Sequence, residues 1–322
     1  MYYLRLFVSL LVSVIVLMFI PWDDVKVFSR DHQLIASYLV LAGLLIYVDR
    51  VVNAIRWFIL IDHRGTRLRF FQILGIYFKS TFLGLVAPSG AGGEFLKGYG
   101  LVKSGVRITE SVSSLFVERI LGLVALVGTC LCGFALFHQE LELIPGQLIT
   151  RIIFGGIGLG VIGVIVAYFC FPWFERRIPL ESKVNKGLQE IRRALGFYQQ
   201  IKARIIVALI LSFMVQLVRI YFTWCIGLGV GMTSELPYYF LFVPVISLVS
   251  MIPISIAGLG VQEGAFVYFF SLIEANLVLI LAMALLVRVY IVISVLPGAV
   301  LYARDGIGVN AQRIAKNHKG NA

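Results

Sequence analysis

A set of ionisable side chains stands inside stretches otherwise apolar enough for the interior of a bilayer: Asp49, Arg50, Arg56, Lys79, Glu94, Glu118, Arg119, Arg219, Glu263 and Arg288. A charge at that depth costs several kcal/mol unless it is paired or wet, and is a functional candidate by default. Arginine forks bind phosphate oxygens in a bidentate manner and stay charged when partly dehydrated. Arg56, Arg119, Arg219 and Arg288 are therefore candidates to hold a phosphate. Glu94 and Glu263 would balance them in an empty cavity, or receive an amine or a proton. A site of both signs fits a zwitterionic or aminoacylated headgroup.

Two short runs share one grammar. The first is Pro88-Ser89-Gly90-Ala91-Gly92-Gly93-Glu94; the second runs from Pro253 through Gly258, Gly260 and Glu263 to Gly264. Each has a helix-breaking proline, clustered glycines and a glutamate, between apolar stretches short for a full span. Broken backbone at membrane depth is tolerated only where it is buried in protein or lines a cavity. A matched pair of breaks points to the binding site of a repeat-built transporter. The expected break residues are Pro88, Gly92, Gly93, Pro253, Gly258, Gly260 and Gly264. Exposed N–H groups at the half-helix starts would favour an anion.

Some charges also have a structural reading. Asp49 and Arg50, like Glu118 and Arg119, are adjacent, so they point apart and pair with other helices. Arg56 lies near the end of its span and could simply snorkel to the headgroups. Arg219 and Arg288 lie deeper, with no acid nearby in sequence. They need Glu94, Glu118, Glu263 or a substrate anion, and a purely structural ion pair competes with a functional cavity.

The elements that carry these residues follow from composition. The chain has 322 residues, 60% hydrophobic and 14% charged, with a net charge of +11 and a mean hydropathy of +0.94. That is a polytopic helical membrane protein. Its basic residues cluster between apolar runs, as in cytoplasmic loops, which argues against nucleic acid. Cys130, Cys132, Cys170 and Cys225 lie in apolar stretches without a CxxC pattern, and His32, His63, His138 and His318 lie in loops or the tail. Neither set suggests a metal or a cofactor. Residues 4–20 read as a retained first span, because Pro21-Trp22-Asp23-Asp24 follows with no small-residue cleavage site.

Apolar runs fall near 4–20, 34–60, 70–87, 110–137, 151–171, 205–228, 236–252, 254–273 and 276–303. Strict alternation would place the basic 172–204 loop outside, against the positive-inside rule. The conflict vanishes if 70–107 enters and leaves from the cytoplasm and 237–273 enters and leaves from outside. The sequence thus predicts an all-α polytopic membrane protein: about six full spans plus two opposed re-entrant helical hairpins, in an inverted repeat. Both termini would be cytoplasmic. One membrane domain would cover 1–303, with pseudo-repeats at about 34–137 and 205–303, a cytoplasmic loop at 172–204 and a basic tail at 304–322. Correspondences carry the repeat: Arg56 with Arg219 at an offset of 163, Pro88 with Pro253 at 165, and both Glu94 with Glu263 and Arg119 with Arg288 at 169. The run Gly258 to Gly264 is not a dinucleotide loop, since no βαβ unit surrounds it. Gly155 to Gly160 reads as a close-packing helix face, and 172–204 as a membrane-surface segment.

Three features resemble the membrane domain of the lysylphosphatidylglycerol synthase family, also called flippase-like proteins. They are Pro88 to Glu94 with Lys97, Glu118-Arg119-Ile120-Leu121-Gly122-Leu123, and Pro253 to Gly264. Arg288 followed by Leu296-Pro297-Gly298 resembles the family's closing span, so the likeness runs over about 5–303. Lys97 stands where the family more usually has arginine, which keeps the charge and loses the fork. In larger members this membrane part precedes a soluble domain that makes aminoacylated phosphatidylglycerol, and is taken to move that lipid between leaflets. Only a short basic tail is expected after Arg304 here, so the resemblance does not imply synthase activity.

The expected function is a lipid flippase or transporter of a bacterial or archaeal inner membrane. It would move a phospholipid, such as aminoacylated phosphatidylglycerol, or a lipid-linked substrate, with a separate lipid synthase as a candidate partner. The expected substrate-binding set is Arg56, Glu94, Lys97, Glu118, Arg119, Arg219, Glu263 and Arg288. No catalytic residue, metal or cofactor is expected, for want of a nucleophile–base constellation or ligand cluster. The alternatives are a headgroup-modifying enzyme using Glu94 and Glu263 as acid and base, or an accessory subunit of a cell-envelope lipid enzyme.

Overall fold

The computed structural model describes residues 35–61, 68–86, 92–141, 202–251, 260–274 and 276–319. Among these there are eight helices and no strand: α1 (Ala36–Leu60), α2 (Phe70–Val86), α3 (Gly92–Lys103), α4 (Ile108–Leu141), α5 (Lys202–Gly229), α6 (Leu236–Ser250), α7 (Val261–Phe270) and α8 (Leu277–Lys319). The expected segments 4–20 and 151–171, nearly all of the 172–204 loop, and Pro88, Pro253 and Gly258 lie outside the described residues.

Length separates the helices into two kinds. α1, α4, α5 and α8 each hold an apolar stretch long enough to cross a membrane. The 25 residues of α1 reach roughly 37 Å at 1.5 Å per residue, beyond the roughly 30 Å of a hydrocarbon core. The 17, 12, 15 and 10 residues of α2, α3, α6 and α7 fall short of that thickness. The order is long–short–short–long, twice. α2 and α6 start 166 residues apart, and α4 and α8 start 169 apart.

Packing repeats the same pattern. α1 and α5 form the most extensive pair, α2 packs on α8, and α6 packs on α4. The Ile35 amide at the start of α1 donates to the Gly229 carbonyl at the end of α5 (3.1 Å), while Arg56, near the end of α1, reaches Ser212 in the first half of α5. The two helices therefore run antiparallel.

Local sequence explains the crossings. At Gly298 an added Cβ would lie 2.0 Å from the Phe78 carbonyl oxygen, so only glycine lets α8 approach the α2 backbone this closely. Pro297, one residue earlier, removes the amide that would bond the Ile293 carbonyl; the Tyr47 hydroxyl donates to that carbonyl instead (3.3 Å). α8 continues through Pro297 to Lys319, so the helix does not stop near 303, where the apolar run ends. Loss of hydropathy ends a membrane span without breaking a helix, and Ala, Gln, Arg and Lys in 311–319 are good helix formers.

The outer surface is apolar. Val40, Leu44, Ile206, Ile210 and Val300 are all more than half exposed, as suits helices facing lipid. Among the described residues three buried clusters lie within, and two of them are extensive. The larger centres on Tyr239, Phe242, Phe266 and Phe270 of α6 and α7, with Phe242 edge-on to Phe270 at 5.3 Å. The smaller gathers Trp57, Ile73, Ile76, Tyr77 and Leu101 where α1, α2 and α3 meet, beside the buried charges.

Candidate functional site

Helical spacing builds the site. On α1, Asp49, Asn53 and Arg56 fall on one face at intervals of four and three, and all three are buried. Ser212, Gln216 and Thr223 do the same on α5, with Arg219 between them. Because the helices are antiparallel, these polar faces oppose each other. Arg219 Nε donates to Asp49 Oδ1 at 2.8 Å, and Arg56 Nη1 donates to Ser212 Oγ at 3.2 Å. Arg50 Nη1 lies 3.9 Å from Asp49 Oδ2 and its Nε donates to Ser294 Oγ at 3.0 Å.

Glu118 of α4 sits at the centre, 7% exposed. Its Oε1 accepts from Arg56 Nη2 at 2.9 Å and from Lys97 Nζ at 3.3 Å. The Lys97 ammonium also lies 4.8 Å from the Tyr77 ring centroid and 5.5 Å from that of Trp57. A buried ammonium is thus held by one carboxylate and two aromatic faces. Arg56 does not snorkel: it is buried because Glu118 and Ser212 offer it partners inside the bundle.

A second pair lies beside this cluster. Arg119 Nε donates to Glu94 Oε2 at 3.0 Å and Nη2 meets Oε1 at 2.8 Å, the two-pronged contact expected of a guanidinium and a carboxylate. Glu94 is in the first turn of α3, where the helix dipole favours a negative charge. Both side chains are more than a third exposed.

The same pair recurs in the second half. Arg288 Nε donates to Glu263 Oε1 at 2.7 Å, across the same 25 residues that separate Arg119 from Glu94. Glu263 Oε2 accepts from the Gly260 amide at 2.7 Å, and Gly260 has φ 80°, a conformation that favours glycine. Gly264 has no such requirement, since a Cβ there would meet nothing within 4 Å; it lies inside α7. Gly92 and Gly93 likewise open α3.

Six of the eight expected site residues, Arg56, Glu94, Lys97, Glu118, Arg119 and Arg219, line one cavity of about 230 Å³. Glu263 and Arg288 do not line it, and form their own buried pair between α7 and α8. A family model described as the lysylphosphatidylglycerol synthase TM region matches residues 6–298. The chain belongs to the lysylphosphatidylglycerol synthase transmembrane family. No curated protein and no solved structure matches it. Family and helices together make this a membrane protein, and the family points to lipid metabolism or transport.

In this member of the lysylphosphatidylglycerol synthase transmembrane family, a second cavity of about 190 Å³ adjoins the first, and Arg219 and Ser247 line both. Their walls differ in chemistry: Arg56, Lys97 and Glu118 line the first, and Phe222, Phe266 and Val287 line the second.

Reading for charge alone missed much of the wall. Asn53, Tyr77, Gln216 and Ser247 line the first cavity, and Trp57 closes over Lys97. The available signal was the recurrence of uncharged polar residues at helical spacing, Ser212, Gln216 and Thr223 among them. Among the described residues no group of three His, Cys, Asp or Glu side chains could hold a metal ion.

Proposed function

We propose that this protein moves a phosphate-bearing lipid between leaflets of the cytoplasmic membrane, the headgroup passing through the cavity lined by Arg56, Lys97, Arg119 and Arg219 while the acyl chains remain in lipid. One observation supports this above others: four cations line a single cavity at the junction of the two helix sets. Such a site suits a phosphate, because guanidinium and ammonium groups give directed, charge-assisted hydrogen bonds to its oxygens.

The architecture supports transport. Helix sets of the same order, joined through the antiparallel α1 and α5, fit an inverted repeat with α2–α3 and α6–α7 as re-entrant hairpins. In such folds the site lies at the repeat interface, and one half rocks against the other. The Asp49–Arg219 pair, which joins α1 to α5 beside both cavities, is the contact that would part as the halves move. Lipid would then reach the cavity from each leaflet in turn.

The deciding experiment is leaflet-resolved movement of labelled phosphatidylglycerol in proteoliposomes, with wild type, Arg56→Gln and Arg219→Gln at matched folded amounts. Protein-dependent movement, lost in both variants, is the expected result. Undiminished movement in both variants would sink the reading.

A further inference from the structure

The cavity is unbalanced in two independent ways, and both have the same sign. The first is charge. Arg56, Lys97, Arg119 and Arg219 face it, against the carboxylates of Glu94, Glu118 and, behind Arg219, Asp49. Glu118 serves both Arg56 and Lys97, which leaves one cation in excess among the described residues. Arg50, close to Asp49, only adds to that excess.

The second imbalance is in hydrogen bonding. Arg56 Nε is buried with no partner among the described residues, as is Trp57 Nε1 just outside the cavity wall. Arg56 is itself 7% exposed and lines the cavity. Both orphaned atoms are donors. The carboxylates of the site already have cation partners: Glu94 pairs with Arg119, Glu118 with Lys97 and Arg56, and Asp49 with Arg219.

A phosphate ester brings acceptor oxygens and a negative charge, which meets both deficits. An ammonium brings three donors and no acceptor, and would meet a cationic site whose carboxylates are taken. We propose that the cavity selects a net-anionic phosphate headgroup and discriminates against the aminoacylated form, with Arg56 as the specificity-determining residue. This rests on the headgroup reading of the cavity given above. Like-charge contact with Lys97 and Arg56 opposes an aminoacyl ester even though its phosphate is unchanged. A chain that carries only the unmodified anionic lipid would work before, or independently of, any step that adds an aminoacyl group.

The test is a competition on the full chain in detergent, at fixed ionic strength. Phosphatidylglycerol, its lysyl ester and inorganic phosphate each displace a fluorescent phosphatidylglycerol. Phosphatidylglycerol should compete about tenfold or more better than the lysyl ester, and Arg56→Gln should shrink that ratio to about threefold or less. Equal or stronger competition by the lysyl ester overturns the proposal and leaves lipid transport standing. Inorganic phosphate competing as well as the lipid supports the anion preference and removes the lipid reading. No saturable binding of the fluorescent lipid, or of phosphate by calorimetry, overturns both. The wild-type contrast between the two lipids decides the matter even if Arg56→Gln fails to fold.

Discussion

Glu118→Gln removes the one carboxylate that two buried cations share. Arg56, Lys97 and Glu118 have side chains about one-tenth exposed, so water cannot take over from the lost charge. Removing one partner of a buried ion pair costs about 3–5 kcal/mol. Glutamine keeps an acceptor where Arg56 Nη2 now donates at 2.9 Å, and a hydrogen bond to a charged group retains about 1.5–3 kcal/mol. A net loss of about 2 kcal/mol follows. Lys97→Met removes a cation held by Glu118 and by the Tyr77 and Trp57 rings, at a cost of about 2 kcal/mol. The double variant is the informative one, because it no longer leaves a buried ammonium without its carboxylate. Its loss should fall short of the sum of the singles by about 1 kcal/mol or more. Reversible unfolding by SDS in mixed micelles measures all four corners of the cycle. Additivity within about 0.5 kcal/mol would show that Lys97 and Glu118 do not interact, and the account of the cavity would fail.

Three further outcomes follow from the geometry. Glu263→Ala should destabilise by more than about 1 kcal/mol, since it removes the carboxylate held by part-buried Arg288 and uncaps Gly260, whereas Glu94→Ala should cost under about 1 kcal/mol because its pair with Arg119 is part-exposed; the same SDS titration compares them. Gly298→Ala should cost about 1–3 kcal/mol or more by forcing α8 away from the Phe78 carbonyl, seen as a lower thermal midpoint in detergent. With the native cysteines replaced, Arg69→Cys and Arg107→Cys should react with an impermeant maleimide from one face of the membrane, and Glu235→Cys and Glu274→Cys from the other. Labelling of Arg69→Cys and Arg107→Cys from opposite faces would make α2 and α3 successive spans instead of a hairpin.

Hydropathy made much of the helix plan legible. α1, α4, α5 and α8 lie where apolar runs were long enough to cross, and the short helices fall either side of the glycine-rich breaks. Pairing across space was less accessible. That Glu118 takes both Arg56 and Lys97 depends on three helices meeting, and nothing local to any of them encodes it. The Arg119–Glu94 and Arg288–Glu263 pairs were nearer the surface of the sequence, because each carries the same spacing of 25. Asn53, Gln216 and Ser247 escaped for a different reason: uncharged polar residues are cheap enough in a membrane helix to attract no notice singly. Only their recurrence on one helical face marks them as the wall of a cavity.

The repeat and the chemistry also divide responsibility in a way that either half alone would hide. If both halves were built alike, the two cavities would bind alike. They are not alike: Arg56, Lys97 and Glu118 line the first, and Phe222, Phe266 and Val287 line the second. What the halves do share is Glu94–Arg119 and Glu263–Arg288, which tie a short helix to the following long one. The two pairs differ in setting: Glu94–Arg119 lines the first cavity and is part-exposed, whereas Glu263–Arg288 is largely buried and lines neither cavity. Glu263, from the Pro253–Gly264 run, and Arg288 join α7 to α8 away from both cavities. If the first cavity takes a headgroup as proposed, its selectivity falls to Arg56, Lys97 and Glu118, whose charges the second cavity lacks in Phe222, Phe266 and Val287.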